Sequence, residues 1–136
     1  MSADNRILIA GATGNNGRAL IEQLQTAGMP VRALVRNAEK NQSLISATTQ
    51  LAEGDLSDPP TLDKALQGIG YAYIVTAIAP DAVSYYRHFF AAAKKAGVRG
   101  IIKVSALGAA VDSPAEILRQ HGESDNMLIN CGVRLA

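Results

Sequence analysis

Residues 7–17 constrain this chain more than any other stretch. Four apolar residues, Ile7-Leu8-Ile9-Ala10, run into Gly11-Ala12-Thr13-Gly14-Asn15-Asn16-Gly17, with G-x-x-G-x-x-G spacing, and a helical pattern begins at once. The first N–H groups of a helix have no partner within it, and the helix dipole favours negative charge there. A buried strand feeding a glycine turn and a helix start is therefore an anion-binding unit. Gly11 suits a tight turn, Gly14 a close approach of backbone to a phosphate, and Gly17 close packing of helix on sheet. The expected ligand is the pyrophosphate of a dinucleotide.

The rest of the chain repeats the alternation of apolar run and helical pattern. A helix is predicted from about Asn16 to Ala27, with Leu20, Leu24 and Ala27 inward, Arg18, Glu22 and Gln25 outward, and Gly28 and Pro30 as its stop. Val31 to Val35 reads as strand two, Asn37 to Ala47 as a weak helix or loop, and Gln50 to Gly54 as strand three. Asp58-Pro59 opens a helix with an N-cap and a first-turn proline, and Leu62, Ala65 and Leu66 are its buried face. Tyr71 to Thr76 is strand four. The helix from Asp81 to Ala96 buries Val83, Tyr86, Phe90 and Ala93, places Lys94 and Lys95 in its last turn, and is capped by Gly97. Ile101 to Val104 is strand five. Ser113-Pro114-Ala115-Glu116 reads as a capping box that opens a last helix, interrupted at Gly122 and ended at Gly132. Strands separated by such crossovers pair in parallel. The expected architecture is α/β, a Rossmann-type doubly wound parallel sheet of about five strands in the order 3-2-1-4-5, forming a single NAD(P)-binding domain over residues 1–136.

Composition removes other classes. The chain has 136 residues, 48% hydrophobic and 18% charged, with a net charge of +1, and its longest basic run is the Lys94-Lys95 pair. That is no footprint for nucleic acid. No stretch reaches the roughly 18 apolar residues of a membrane span. The start, Met-Ser-Ala-Asp-Asn, carries acid where a signal peptide carries base. Cys131 is the single cysteine, so a reducing compartment is the default. A soluble cytoplasmic protein is expected, without nucleic-acid or membrane partners. No two histidines or carboxylates stand at metal-ligand spacing, so no metal is expected.

The tip of strand two discriminates between nucleotides. An acidic residue about 20 positions after the glycines would bind the ribose of NAD. Here the tip is Leu34-Val35-Arg36-Asn37, and Arg36 suits a 2′-phosphate. NADP(H) is the expected cofactor and NAD(H) the alternative, with Lys40 as a possible assistant to Arg36. Asp55 and Leu56, after strand three, suit an adenine pocket, although a turn role for Asp55 fits as well. Thr76-Ala77-Ile78 should pass the ribose on the nicotinamide side. For chemistry, Ser105 ends strand five on the ligand-binding edge, where it suits a substrate carbonyl, the nicotinamide or a local backbone cap. His121 is positioned to reach the same edge. No tyrosine is followed four positions later by lysine: Tyr71, Tyr73, Tyr85 and Tyr86 precede Val75, Ala77, Phe89 and Phe90, and read as packing residues. His88 reads as structural or exposed, and Lys103 as pointing to the sheet edge.

These stretches, with Val31-Arg32-Ala33-Leu34-Val35-Arg36, Gly54-Asp55-Leu56-Ser57-Asp58, Lys103-Val104-Ser105-Ala106-Leu107-Gly108 and His121-Gly122-Glu123-Ser124, resemble the NmrA-like group of atypical short-chain dehydrogenases. The resemblance spans essentially the whole chain. It implies cofactor contacts at Gly11, Thr13, Asn15, Asn16, Arg36, Asp55 and Thr76. It also implies an NADPH-dependent oxidoreductase acting on a quinone-like or conjugated carbonyl acceptor; the alternative is a non-catalytic NADP(H)-binding redox sensor of the NmrA type. The quinone-reductase branch is the more similar one, with a histidine at the place of His121. Relatives of this kind continue into a sixth strand and a substrate lobe, whereas these residues stop at Gly132-Val133-Arg134-Leu135-Ala136. An open, apolar C-terminal sheet edge is expected to follow, and with it a homo-oligomer.

Overall fold

The computed structural model describes residues 5–76 and 79–135. Ala77 and Ile78, expected beside the ribose, lie outside the described residues. The elements are β1 (Ile7–Ala10), α1 (Asn15–Thr26), β2 (Val31–Val35), a 3-10 helix (Glu39–Leu44), β3 (Thr49–Glu53), α2 (Pro59–Ala65), β4 (Tyr71–Ile74), α3 (Ala82–Ala96), β5 (Gly100–Lys103), α4 (Glu116–Ile129) and β6 (Arg134–Leu135). They form one sheet in the order β3-β2-β1-β4-β5-β6. Every pairing is parallel. The expected 3-2-1-4-5 order is present, and a short sixth strand extends it.

Alternation along β1 divides the core. Leu8 and Ala10 face a cluster with Leu62 and Leu66 from the α2 region, and Tyr86, Phe89 and Phe90 of α3. Ile9 faces the other side, against Ile21 of α1, Val31, Ala33, Val35 and Leu44. Successive strand residues point to opposite faces, so a fully buried strand reads as a continuous apolar run. The register aligns Ala10 with Leu34 and with Ile74, and Ile74 with Lys103. The residues following β1, β2, β4 and β5 therefore emerge along one edge. β2 lies on one side of β1 and β4 on the other, so a crevice opens above β1.

Four local expectations are corrected. Gln25 does not face away: its Nε2 donates to Thr49 Oγ1 at 3.0 Å, while Ala27 is exposed. Ser113 does not cap α4. Its Oγ accepts from the Ala115 N–H in a turn, and the helix starts at Glu116 with no side-chain cap. Gly122 does not interrupt α4, which runs through it; a Cβ there would meet the Ala110 carbonyl carbon at 2.4 Å. Glycine at 122 is a contact between helix and loop. Finally, the edge of β5 is partly covered, since Gly100 and Ile101 pair with Arg134 and Leu135. Exposed apolar surface does remain on β5, where Ile102 is 52% accessible.

Candidate functional site

The crevice above β1 is a cleft of about 690 Å³. Gly11, Thr13, Gly14, Asn15, Asn16, Arg36, Asp55, Leu56 and Thr76 all line it, and so does Tyr85. Gly17 does not.

The three glycines have different reasons. Gly11 has φ +90°, and a Cβ on it would lie 2.4 Å from the Val75 carbonyl oxygen. Both the left-handed backbone and the close neighbour require glycine. A Cβ at Gly17 would stand 2.1 Å from the Gly11 carbonyl oxygen, so α1 sits directly on the turn. Gly14 is different. Its φ is −81°, and a Cβ would meet only the Gly11 carbonyl oxygen at 3.5 Å. The chain's own packing does not demand glycine at 14, so the missing side chain leaves room over the cleft. Gly14 is the N-cap of α1 and offers no side-chain cap to the first-turn amides. The turn is held from outside: Arg18 Nε donates to the Thr13 carbonyl at 3.0 Å, and the Gly14 N–H to the Gly11 carbonyl at 3.1 Å. An uncapped helix start, a preset turn and an open position at Gly14 together fit a pyrophosphate.

Arg36 is exposed on the cleft wall at the tip of β2. Lys40 is not on that wall; its backbone N–H donates to Asn37 Oδ1 at 3.0 Å, which shapes the 3-10 helix. Asp55 Oδ1 takes both the Ser57 N–H (2.9 Å) and the Ser57 hydroxyl (2.7 Å). These two bonds, with the charge of Arg36, hold its carboxyl below the usual range. The turn role of Asp55 is thus real, while the residue still lines the cleft. Leu56 is fixed from below, because its carbonyl lies 2.6 Å from His88 Nδ1. His88 has a structural contact, as expected.

Ser105 and His121 lie outside the cleft lining and meet each other through residues that the sequence reading had not joined. Lys103 points inward, not to the sheet edge: its side chain is 1% exposed and Nζ is 2.8 Å from Asp125 Oδ1. The same Nζ is 3.0 Å from His121 Nδ1 and 4.6 Å above the Tyr86 ring. Ser105 Oγ donates to Asp125 Oδ2 at 2.5 Å. Burial lowers the Lys103 ammonium's pKa, opposed by Asp125. Burial and then the Lys103 charge lower that of His121, again opposed by Asp125. The Tyr86 phenol is pushed up to about 12 by burial. Its hydroxyl has no hydrogen-bond partner among the described residues; the Thr76 backbone comes near it without bonding geometry. The cluster abuts the cleft, since Gln120 Nε2 donates to the carbonyl of cleft-lining Ala79 at 3.0 Å. Asp125 and Tyr85 were missed in the sequence. The signal for Asp125 was there: a lysine inside a buried strand needs a counter-charge.

Among the described residues, no group of three or more His, Cys, Asp or Glu could hold a metal. None of their helices is long and apolar enough to cross a membrane.

Residues 11–133, the cleft and the cluster included, match the NAD(P)H-binding family. The chain belongs to that family. This NAD(P)H-binding chain is 39% identical over 127 residues to the NAD(P)H azoreductase of Xenophilus azovorans, covering 93% of this chain and 44% of the azoreductase. It is 32% identical over 130 residues to quinone oxidoreductase 2 of Escherichia coli strain K12, covering 93% and 45%. In structure it resembles the Escherichia coli NADPH-dependent quinone oxidoreductase QOR2 in complex with NADPH, with a TM-score of 0.86, 33% identity, and coverage of 95% and 46%. It also resembles a mutant NmrA, with a TM-score of 0.82, 25% identity, and coverage of 97% and 43%. The chain thus spans a little under half the length of these relatives.

Proposed function

We propose that these residues form the NADP(H)-binding unit of a cytoplasmic oxidoreductase that reduces a quinone-like or conjugated carbonyl acceptor. The observation that carries the cofactor choice is Arg36: at the tip of β2, on the cleft wall, a guanidinium stands where an NAD-selective site has a carboxylate. A carboxylate would repel a 2′-phosphate, and a guanidinium pairs with it through charge-assisted hydrogen bonds. Asn15 and Asn16 present first-turn amides to the pyrophosphate, Leu56 packs on the adenine, and Thr76 borders the nicotinamide ribose. When bound, the nicotinamide supplies a hydride; the chain binds, orients and excludes water. The similarity to an azoreductase and a quinone oxidoreductase supports the acceptor class. Apolar Ile102 on β5 supports association with a further chain segment or a second copy.

Arg36→Ala is expected to weaken NADP(H) binding about ten- to hundredfold, as loss of a hydrogen-bonded charge pair does, with NAD(H) affinity little changed in calorimetry. Equal weakening of both would overturn the assignment. NADPH consumption against a quinone panel tests the activity. Tight NADP(H) binding without turnover would replace the reductase by an NADP(H) sensor.

A further inference from the structure

An ammonium has three protons and no lone pair. Those of Lys103 have three acceptors: Asp125 Oδ1 at 2.8 Å, His121 Nδ1 at 3.0 Å and the Val104 carbonyl at 3.3 Å. None is left to aim at a ligand. Bond directions then settle the rest of the cluster. Because Lys103 only donates, His121 Nδ1 must accept, and the imidazole proton sits on Nε2. That nitrogen has no hydrogen bond among the described residues. Ser105 has one proton, and it is given to Asp125. Toward a ligand Ser105 can only accept, so it is the wrong partner for a carbonyl oxygen. The donor the cluster offers is His121 Nε2–H, one residue from the Gln120 bond to the cleft wall.

We propose that Lys103 is a positioning residue that fixes His121 as a neutral Nε2–H donor beside the part of the cleft lined by Thr76 and Ala79, where it hydrogen-bonds the oxygen of a carbonyl or quinone acceptor. The acceptor part rests on the reductase reading above. A neutral imidazole does not release that proton. His121 therefore stabilises negative charge on the oxygen as hydride arrives at the acceptor, and water supplies the proton that completes the reduction. The groups facing the imidazole are Lys103 from β5, Asp125 from its own helix and Tyr86 from α3, whose ring centre is 6.4 Å away. Protonating His121 would set an N–H against the ammonium, which agrees with the direction of its shift.

The chain has two histidines, so long-range proton–nitrogen correlation spectra of the nitrogen-15-labelled protein separate His121 from His88. His121 Nδ1 should resonate as an unprotonated nitrogen and Nε2 as a protonated one. Lys103→Met keeps the apolar stem without the charge; it should raise the titration midpoint of His121 and leave His88 unmoved. A proton on Nδ1, or a midpoint that Lys103→Met does not raise, overturns the role of Lys103. The tautomer is read on the unaltered chain, so the test stands even if the Met variant fails to fold. A soluble quinone added to the NADP⁺-saturated chain should move the His121 Nε2–H resonance. An unmoved resonance with NADP⁺ bound overturns the donor role, whereas failure to bind NADP⁺ overturns the cofactor reading instead.

Discussion

The turn after β1 and the cluster after β5 lie along the same edge of one sheet and are made in opposite ways. The first is made of backbone. Its shape follows from Gly11 at φ +90°, from Gly17 under the Gly11 carbonyl and from the uncapped start of α1. The second is made of side chains from two elements far apart in sequence, Lys103 and Ser105 against His121 and Asp125. A backbone site depends on where side chains are missing, and spacing alone encodes it. A side-chain site depends on topology, because only the pairing of β5 beside β4, with α4 packed on α3, brings its members together.

That contrast can be broken by substitution. The largest loss is expected at Gly17→Ala, whose methyl would stand 2.1 Å from rigid backbone. It should destabilise the chain by about 3 kcal/mol, as overpacking against an unyielding neighbour does, and abolish cofactor binding. Urea unfolding and calorimetry would read this, and a loss below about 1 kcal/mol would mean that the turn yields and is not preset. Asp125→Ala comes next. It leaves a buried ammonium without counter-charge, for about 2–3 kcal/mol, with the turn's cofactor affinity unchanged. The Lys103→Met, Asp125→Leu double variant should recover more than half of that loss. If it recovers none, the pair is not what holds the cluster. The smallest effect on stability belongs to Gly14→Ala, within about 0.5 kcal/mol, yet NADP(H) affinity should fall about tenfold. An equal loss of stability would show that packing, and not a ligand, requires glycine at 14.

The sequence made the turn, the strand order and the cleft-lining set legible for a physical reason: each is written in backbone geometry or in alternation of apolar residues. Arg36 was legible because the strand tip has a fixed place above the sheet. The cluster was legible only in part. Ser105 and His121 share one edge in the sequence reading of the topology, but the bond that commits the Ser105 hydroxyl to Asp125 has no local signal. Asp125 stands four residues after His121, a spacing that puts both on one helix face, yet nothing local says that Lys103 meets that face. Gly122 and Ser113 misled for the same reason in reverse. Each looks like a local punctuation mark. Gly122 in fact answers to a neighbour, the Ala110–Val111 backbone, and Ser113 to a turn of its own.

The division of the core along β1 has a consequence for the order of events as the chain is made. The crossovers up to β3, α1 and the 3-10 helix, cover one side of β1–β3 and carry the whole glycine turn. Leu8, Ala10 and Leu34, on the other side, belong to a cluster whose other buried members all come from Leu62 onward. β1 likewise waits more than 60 residues for Tyr71–Ile74 to become its second neighbour. A nascent chain of about 55 residues therefore holds the complete turn on a three-strand sheet with one bare apolar side. Pairings so distant in sequence form slowly. During synthesis at roughly 5–20 residues per second, that bare side is the surface a chaperone would meet first, and it shrinks as α2 and α3 arrive.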